Sequence, residues 1–407
     1  MCEKRLSLSA NLLALALFST LPVIAARPAW AQTETVLYNF TGSPDGAVPE
    51  SQLISDGAGN FFGTTLYGGE KDLGTVFELS PNGVGGWNET VLHSFTGGTD
   101  GEYPELSPLM FDSAGNLYGT TYYGGSFGCG YGCGVVYELT PKGKRWKESV
   151  LYSFTGGADG GGPVGGLIMD AAGNLYGLLG QAGGVFELSP SGGGWAEQLI
   201  YAADTRSGGL VMDAAGNMFG ITTSTVFELS PNGNGGWIAS VIHTFAGGPD
   251  DGSDPQGSLA FDRAGINLYG STYSGGVKNF GTVYMLRFRP KGKYQGTWTE
   301  RILHSFKGYP NDGSGPEEGI TSDAPGLIWG TTENGGLYNY GTAFGVFGVS
   351  DGWGIRYREV PLWNFDGADG AYPSGAPFLD SAGNLYGTTP AGGSSGLGVV
   401  FEVNPNQ

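Results

Sequence analysis

A phrase of four short segments recurs seven times in this chain, and that recurrence limits the fold more than any other feature. Its clearest segment reads GNLYGTT, at residues 115–121 and 383–389. An L-I-x-D run precedes it, a G-T-V-F-E-L-S-P run follows, and a W-x-E-x-V-L-Y-S-F run ends the unit. We name these segments A, B, C and D, with GNLYGTT as B. Each is short, rich in β-branched and aromatic residues, and bounded by Gly, Pro or Asn, which is the pattern of strands. A unit this small cannot bury its own apolar face and must pack against copies of itself.

The A–B joint reads Asp-x-Ala-Gly-Asn in five copies. Asp and Asn bond to their own backbone and Gly takes the left-handed position, so a tight hairpin is expected there. Four strands per unit point to a β-propeller. The phrase is also cut out of phase: the chain opens with a lone D, residues 34–40, and closes with a lone C, residues 398–405. A linear solenoid has no use for that permutation. In a ring, the first strand completes the last unit and leaves no open edge. The expectation is an all-β, seven-bladed propeller of four-stranded blades, one domain over 32–407, closed by the N-terminal strand.

Composition agrees. The 78 glycines fall at fixed places in the repeat, and 13% aromatic residues supply a core. Residues 1–31 stand apart: Lys4 and Arg5 lead, an apolar run covers 12–18, and Ala29-Trp30-Ala31 precedes Gln32. That is the layout of a cleaved export signal, and the run is too short to span a bilayer. The expected location is secreted, periplasmic or cell-surface, with no transmembrane segment after cleavage. Cys129 and Cys133, in a Cys-Gly-Tyr-Gly-Cys loop, are expected to form a disulfide in that oxidising setting. The net charge of −19 repels phosphate backbones and excludes nucleic acid as a partner.

The run G-N-L-Y-G-T-T … G-T-V-F-E-L-S-P … V-L-Y-S-F resembles the GloVer (Gloeo-Verruco) tandem repeat, and the resemblance covers essentially all of 34–407. It implies an exported, repeat-built bacterial surface or secreted protein and no particular activity or binding residue. Members often carry a C-terminal anchoring signal. This chain ends at Gln407 directly after a C segment, so anchoring is not expected.

What every copy shares is expected to be scaffold. His93, His243 and His304 occupy a D-segment slot that holds Tyr38, Tyr152, Tyr201 or Trp363 elsewhere. A flat side chain with a polar edge suits packing there, so no metal site is assigned to them. Asp-Gly recurs before segment A, as at Asp45-Gly46 and Asp312-Gly313. Turn chemistry accounts for it, with a Ca²⁺-holding ring of carboxylates as the alternative and no cofactor as the expectation. The Glu of F-E-L, such as Glu78 and Glu138, repeats by rotation and makes no converging carboxylate pair.

Function is expected where the copies differ. Unit two carries the 127–133 insert, and unit three lacks Asp-Gly and reads Ala-Ala-Asp-Thr-Arg at 202–206. Unit four has lost its Gly-Gly loop, and unit six has Glu333-Asn334. The candidate binding residues, on the loops of one face, are Tyr67, Tyr122, Tyr123, Arg206, Tyr273, Glu333 and Asn334, with Tyr338 beside them. Tyrosine beside Asn and Gly suits carbohydrate or peptide. The expected function is a non-enzymatic binding propeller, monomeric, with an extracellular carbohydrate or protein ligand. A lactonase, lyase or glycan-degrading enzyme with its site at the central channel is the alternative, and a structural matrix component a third reading.

Overall fold

The computed structural model describes residues 32–104, 106–181, 183–205, 208–289, 296–317, 319–350 and 355–405. The expected leader, 1–31, and Arg206 lie outside them. Seven four-stranded antiparallel sheets form a seven-bladed propeller, and no α-helix occurs among the described residues. Six blades take their strands in sequence order. In the seventh, Thr33–Asn39 pairs with Val399–Asn404 as the outer strand, so the first strand closes the ring as the permuted repeat requires.

Segment A is the innermost strand and D the outermost. Between them, the repeat's fixed residues each have a mechanical reason. In strand B the glycine of GNLYGTT lies beneath the aromatic ring of strand C. A Cβ on Gly63 would meet Phe77 Cζ at 2.7 Å, and one on Gly387 would meet Phe401 Cζ at 2.5 Å. That buried ring also receives the edge of an aromatic ring from the preceding blade's outer strand. Phe40–Phe77, Phe95–Tyr137, Phe154–Phe186, Phe245–Tyr284, Phe306–Phe344 and Phe365–Phe401 have centroids 4.9–5.3 Å apart at 64–72°. At the third interface Ala203 takes the Phe slot, and Tyr201 supplies the ring against Phe227, 5.0 Å away. The core thus lies between blades rather than inside them.

Both threonines of GNLYGTT are buried donors. The first reaches the next blade: Thr64 donates to the Pro104 carbonyl at 3.3 Å, and Thr388 to the Ser51 carbonyl at 3.1 Å. The second links strands B and C, as in Thr65–Thr75 at 2.7 Å and Thr272–Thr282 at 2.8 Å. Strand C is preceded by a left-handed glycine, such as Gly398 with φ 94°, against which the next blade's proline packs. A Cβ there would lie 2.6 Å from Pro49 Cδ. Blade four has no such proline. There Thr205 accepts from Gly184 N and donates to the Leu179 carbonyl, both at 3.0 Å.

Strand extents differ from the sequence reading in one respect. The run before segment A reads as loop, yet it pairs with the loop after strand B: Gly46–Ala47 with Tyr67–Gly68, and Gly313–Ser314 with Asn334–Gly335. In blades three and five the extension is continuous with strand A, giving Gly161–Met169 and Gly252–Phe261, with register shifts at Val164/Ile168 and Gln256/Ala260. Proline and glycine in these stretches mark bulges rather than the end of pairing.

Removing residues 32–40 should expose the Val399–Asn404 edge, lower the melting temperature sharply and produce aggregates in size-exclusion chromatography. A truncated chain that melts like the whole one would contradict ring closure. Gly387→Ala should destabilise by about 1–3 kcal/mol in urea unfolding, the usual cost of overpacking.

Candidate functional site

The loops before strand A and after strand B share one face, and the sequence candidates divide there into two groups. Over blades one and two a row of tyrosines crosses the rim. Tyr67 meets Tyr103 edge-to-face at 5.5 Å, Tyr103 meets Tyr123 at 6.2 Å, and Tyr123 meets Tyr131 at 6.0 Å. Tyr103 has φ 55° ahead of Pro104 and is pinned on both sides. Its N–H donates to the Leu73 carbonyl at 2.9 Å, and its carbonyl accepts from Tyr122 N at 3.0 Å. Burial raises its phenol pKa, with Glu102, Tyr67 and Asp72 adding to the effect, so the ring keeps its proton at neutral pH.

Tyr131 stands at the tip of the blade-two insert, which the expected Cys129–Cys133 disulfide closes. Its carbonyl accepts from Gly124 N at 3.0 Å while its side chain remains 77% exposed, against 41% for Tyr67. Tyr122 faces the other way, packing against the core between blades three and four, with its ring 4.6 Å from that of Tyr123.

The second group lies at the junction of blades five and six. Tyr273 donates to Glu333 Oε2 at 3.0 Å, and its own phenol is pushed up to about 12 by burial and then by that carboxylate. Glu317 is raised by burial first and by Glu333 and Asp254 next, so three carboxylates share one neighbourhood. Asn334 is held by pairing with Ser314 and by Thr332 Oγ1 on its carbonyl at 2.9 Å. Among the described residues, a small space lies near the axis. The space beside Ser51, Leu106, Gly208, Ser258 and Gly375 is about 10 Å³, room for one water.

The repeated His, Tyr or Trp slot and the Asp-Gly pair turn out to be one device. Every C–D pairing carries a bulge at the slot, as at Val76/Phe77 opposite Val91 and His93. The slot's polar edge points at the Asp-Gly aspartate of the same repeat. Tyr38 and Tyr152 donate to Asp45 and Asp159 at 3.1 Å, and Trp363 donates to Asp369 at 2.7 Å. The aspartate also fastens its loop, as Asp45 does by accepting from Thr41 N, Thr41 Oγ1 and Gly46 N. The turn reading of Asp-Gly agrees with these bonds.

A glutamate from the next blade's outer strand faces each aspartate: Glu89 faces Asp45, Glu148 Asp100, Glu197 Asp159, Glu300 Asp251, Glu359 Asp312 and Glu34 Asp369. Burial, and then the aspartate, lifts Glu89 and Glu197 to about 7 and Glu34 to about 8. One interface lacks the pair altogether. Where blade three has no Asp-Gly, blade four carries Ala239 in the glutamate position. Both acids are lost together, which ties them to one role. The sequence reading placed the histidines in separate blades and did not foresee that neighbouring blades would bring carboxylates to them.

The model of the Gloeobacter/Verrucomicrobia repeat matches residues 26–224 and 90–284, more than half of the chain. The chain belongs to that family. No curated protein matches it in sequence. Among solved structures it is similar to the extracellular domain of a chain assigned as a hybrid two component system from B. thetaiotaomicron, at 15% identity and TM-score 0.53. That match covers 92% of this chain but only 41% of the other. It is also similar to a catalytically inactive virginiamycin B lyase from Staphylococcus aureus with quinupristin, at 13% identity and TM-score 0.55, covering 92% and 98%. At these identities the likeness shows the fold. No helix among the described residues is long and apolar enough to cross a membrane.

The opposite face of this Gloeobacter/Verrucomicrobia repeat holds a cleft that the sequence reading missed. It lies between blades four and five, encloses about 750 Å³, and is lined by Phe219, Phe261, Phe288, Trp298, Arg287 and Glu228 among others. The signal was present in strand C of blade five, where Met285, Arg287 and Phe288 replace the Glu, Ser and Pro of F-E-L-S-P. Phe219 also stands where blade two has Tyr118, whose hydroxyl donates to Asp112 and Glu138 at 3.2 and 3.1 Å.

A glutamate whose folded pKa lies above its unfolded value stabilises the fold below about 4.5 and loses that contribution as pH rises through the folded pKa. Ionisation of Glu89 and Glu197 should therefore lower the melting temperature between pH 5 and 8. His93 and His243, lowered mainly by burial, act in the opposite sense as pH falls below 6.5. The informative quantity is the difference from Glu89→Gln and Glu197→Gln, which should gain on wild type as pH rises. Parallel profiles would contradict the assignment.

Proposed function

We propose that this chain is a non-enzymatic binding propeller, exported from the cell, that holds a carbohydrate across the tyrosine row of blades one and two. One observation carries this reading. The insert that breaks the repeat in blade two, closed by Cys129–Cys133, brings Tyr131 to the end of the Tyr67–Tyr103–Tyr123 row. Scaffold demands account for the shared residues but not for an exposed tyrosine on a cross-linked insert. Tyrosine rings offer flat apolar area with a hydroxyl edge and lose little conformational freedom on binding, which suits the C–H faces and hydroxyls of sugars. The disulfide fits an oxidising compartment, and the acidic chain favours neutral or basic ligands over anionic ones.

Glu333 and Asn334 have no part in this row, and Tyr122 packs against Tyr123 within it. Glu333 belongs to the second reading, a lactonase, lyase or glycan-degrading enzyme, which the neighbouring carboxylates Asp254, Glu317 and Glu333 favour.

A glycan array should give a ligand whose affinity, measured by calorimetry, falls about 10- to 100-fold in Tyr131→Ala and Tyr67→Ala, as for an interfacial aromatic anchor. The Cys129→Ser/Cys133→Ser double variant should weaken it less. Binding indifferent to both tyrosines, or turnover in a hydrolase and lyase screen abolished by Glu333→Gln, would move the function to the second group.

A further inference from the structure

We propose that two adjacent clefts on the propeller's rim, His243–Asp251–Glu300 and His304–Asp312–Glu359, each bind a divalent first-row metal ion of the Zn²⁺ type. In each set the three ligand atoms lie within 4.8 Å of one another, and these are the two such sets among the described residues. The histidine comes from one blade's outer strand, the aspartate from the loop that follows, and the glutamate from the outer strand of the next blade. An ion held there joins blade four to blade five, or blade five to blade six.

The donors suit the ion. Imidazole nitrogen and carboxylate oxygen are both zinc ligands, three of them leave a fourth tetrahedral position for water, and the nitrogen disfavours Ca²⁺ or Mg²⁺. His304 Nε2 lies 3.1 Å from Asp312 Oδ2, and His243 Nε2 lies 3.7 Å from Asp251 Oδ1. Donors at about 2.0–2.2 Å from an ion stand roughly 3–3.5 Å from each other, so small side-chain rotations complete either site.

A second observation points to a ligand in the first cleft. His243 Nε2 and Glu300 Oε1 are both shut off from solvent, and neither has a hydrogen-bond partner. Buried polar atoms left unpaired are costly unless something binds them; His93 Nε2 and Glu148 Oε1 are unpaired in the same way, so what sets this cleft apart is the closure of its three ligand atoms. In the second cleft, a cavity of about 530 Å³ lined by His304, Asp312 and Glu359 gives an ion a way in. Lys307 and Arg358 line it too and oppose a cation, so this is the weaker site. His93 is a useful contrast. It lies 3.6 Å from Asp100, but with Glu148 it does not close to a comparable set.

The repeat also supplies a test that spares the fold. Tyr38 and Tyr152 fill the histidine slot in other blades and hydrogen-bond the same aspartate. His243→Tyr and His304→Tyr should therefore fold, as circular dichroism and melting in EDTA would verify, while removing a ligand. Zn²⁺ titrated into the EDTA-stripped full chain should bind with a stoichiometry of about two and raise the melting temperature. Each tyrosine variant should lose about one equivalent, and the double variant both, with the visible absorption of the Co²⁺-loaded chain lost in step. No zinc binding by the wild type, or an unchanged stoichiometry in the folded double variant, would overturn the proposal.

Discussion

Everything in this ring depends on an aromatic side chain of strand C that lies flat on a glycine of strand B and takes the edge of a ring from the blade before. The glycine lets the ring sit flush, since any Cβ would overlap it. The preceding blade's ring then locks the pair, an arrangement worth about 0.5–1.5 kcal/mol beyond its buried area. Repeated around seven interfaces, it makes each blade's core the property of two blades. Each blade therefore depends on its neighbours for its core.

That dependence explains the repeat's regularity. The two threonines of GNLYGTT, the left-handed glycine before strand C and the proline of the following blade each satisfy or cover something in a neighbour. When one element is lost, another takes over nearby. Tyr201 supplies the ring that Ala203 cannot, and Thr205 makes the bonds that stand in for a proline contact. The paired loss of Asp-Gly and its glutamate at this same interface follows the same logic: a buried carboxylate is tolerable only with its partners.

Strand number, blade number and the closing strand were legible because apolar period and turn residues are local signals repeated seven times. Tyr67 and Tyr123 were legible as loop tyrosines, of which Tyr67 is exposed and Tyr123 half-buried, and the cysteines as a cross-link. Tyr103 and Tyr131 were not, although Tyr131 sits inside the insert that marks itself as foreign to the repeat. Their alignment with Tyr67 and Tyr123 depends on how two blades' loops meet. The two-stranded pairings such as Gly46–Ala47 with Tyr67–Gly68 were hidden because Gly and Pro usually announce loops.

The sequence by itself determined the ring: its repeat states how many strands there are, how they alternate and which strand must return to close the last blade. Only the tertiary structure decided which side chains of neighbouring blades face each other. It set His243 beside Asp251 and Glu300, and Tyr131 beside Tyr123. The physical reason is distance along the chain. Strand identity depends on residues a few positions apart, whereas these sites join side chains from separate loops and blades whose meeting is fixed only when the ring packs.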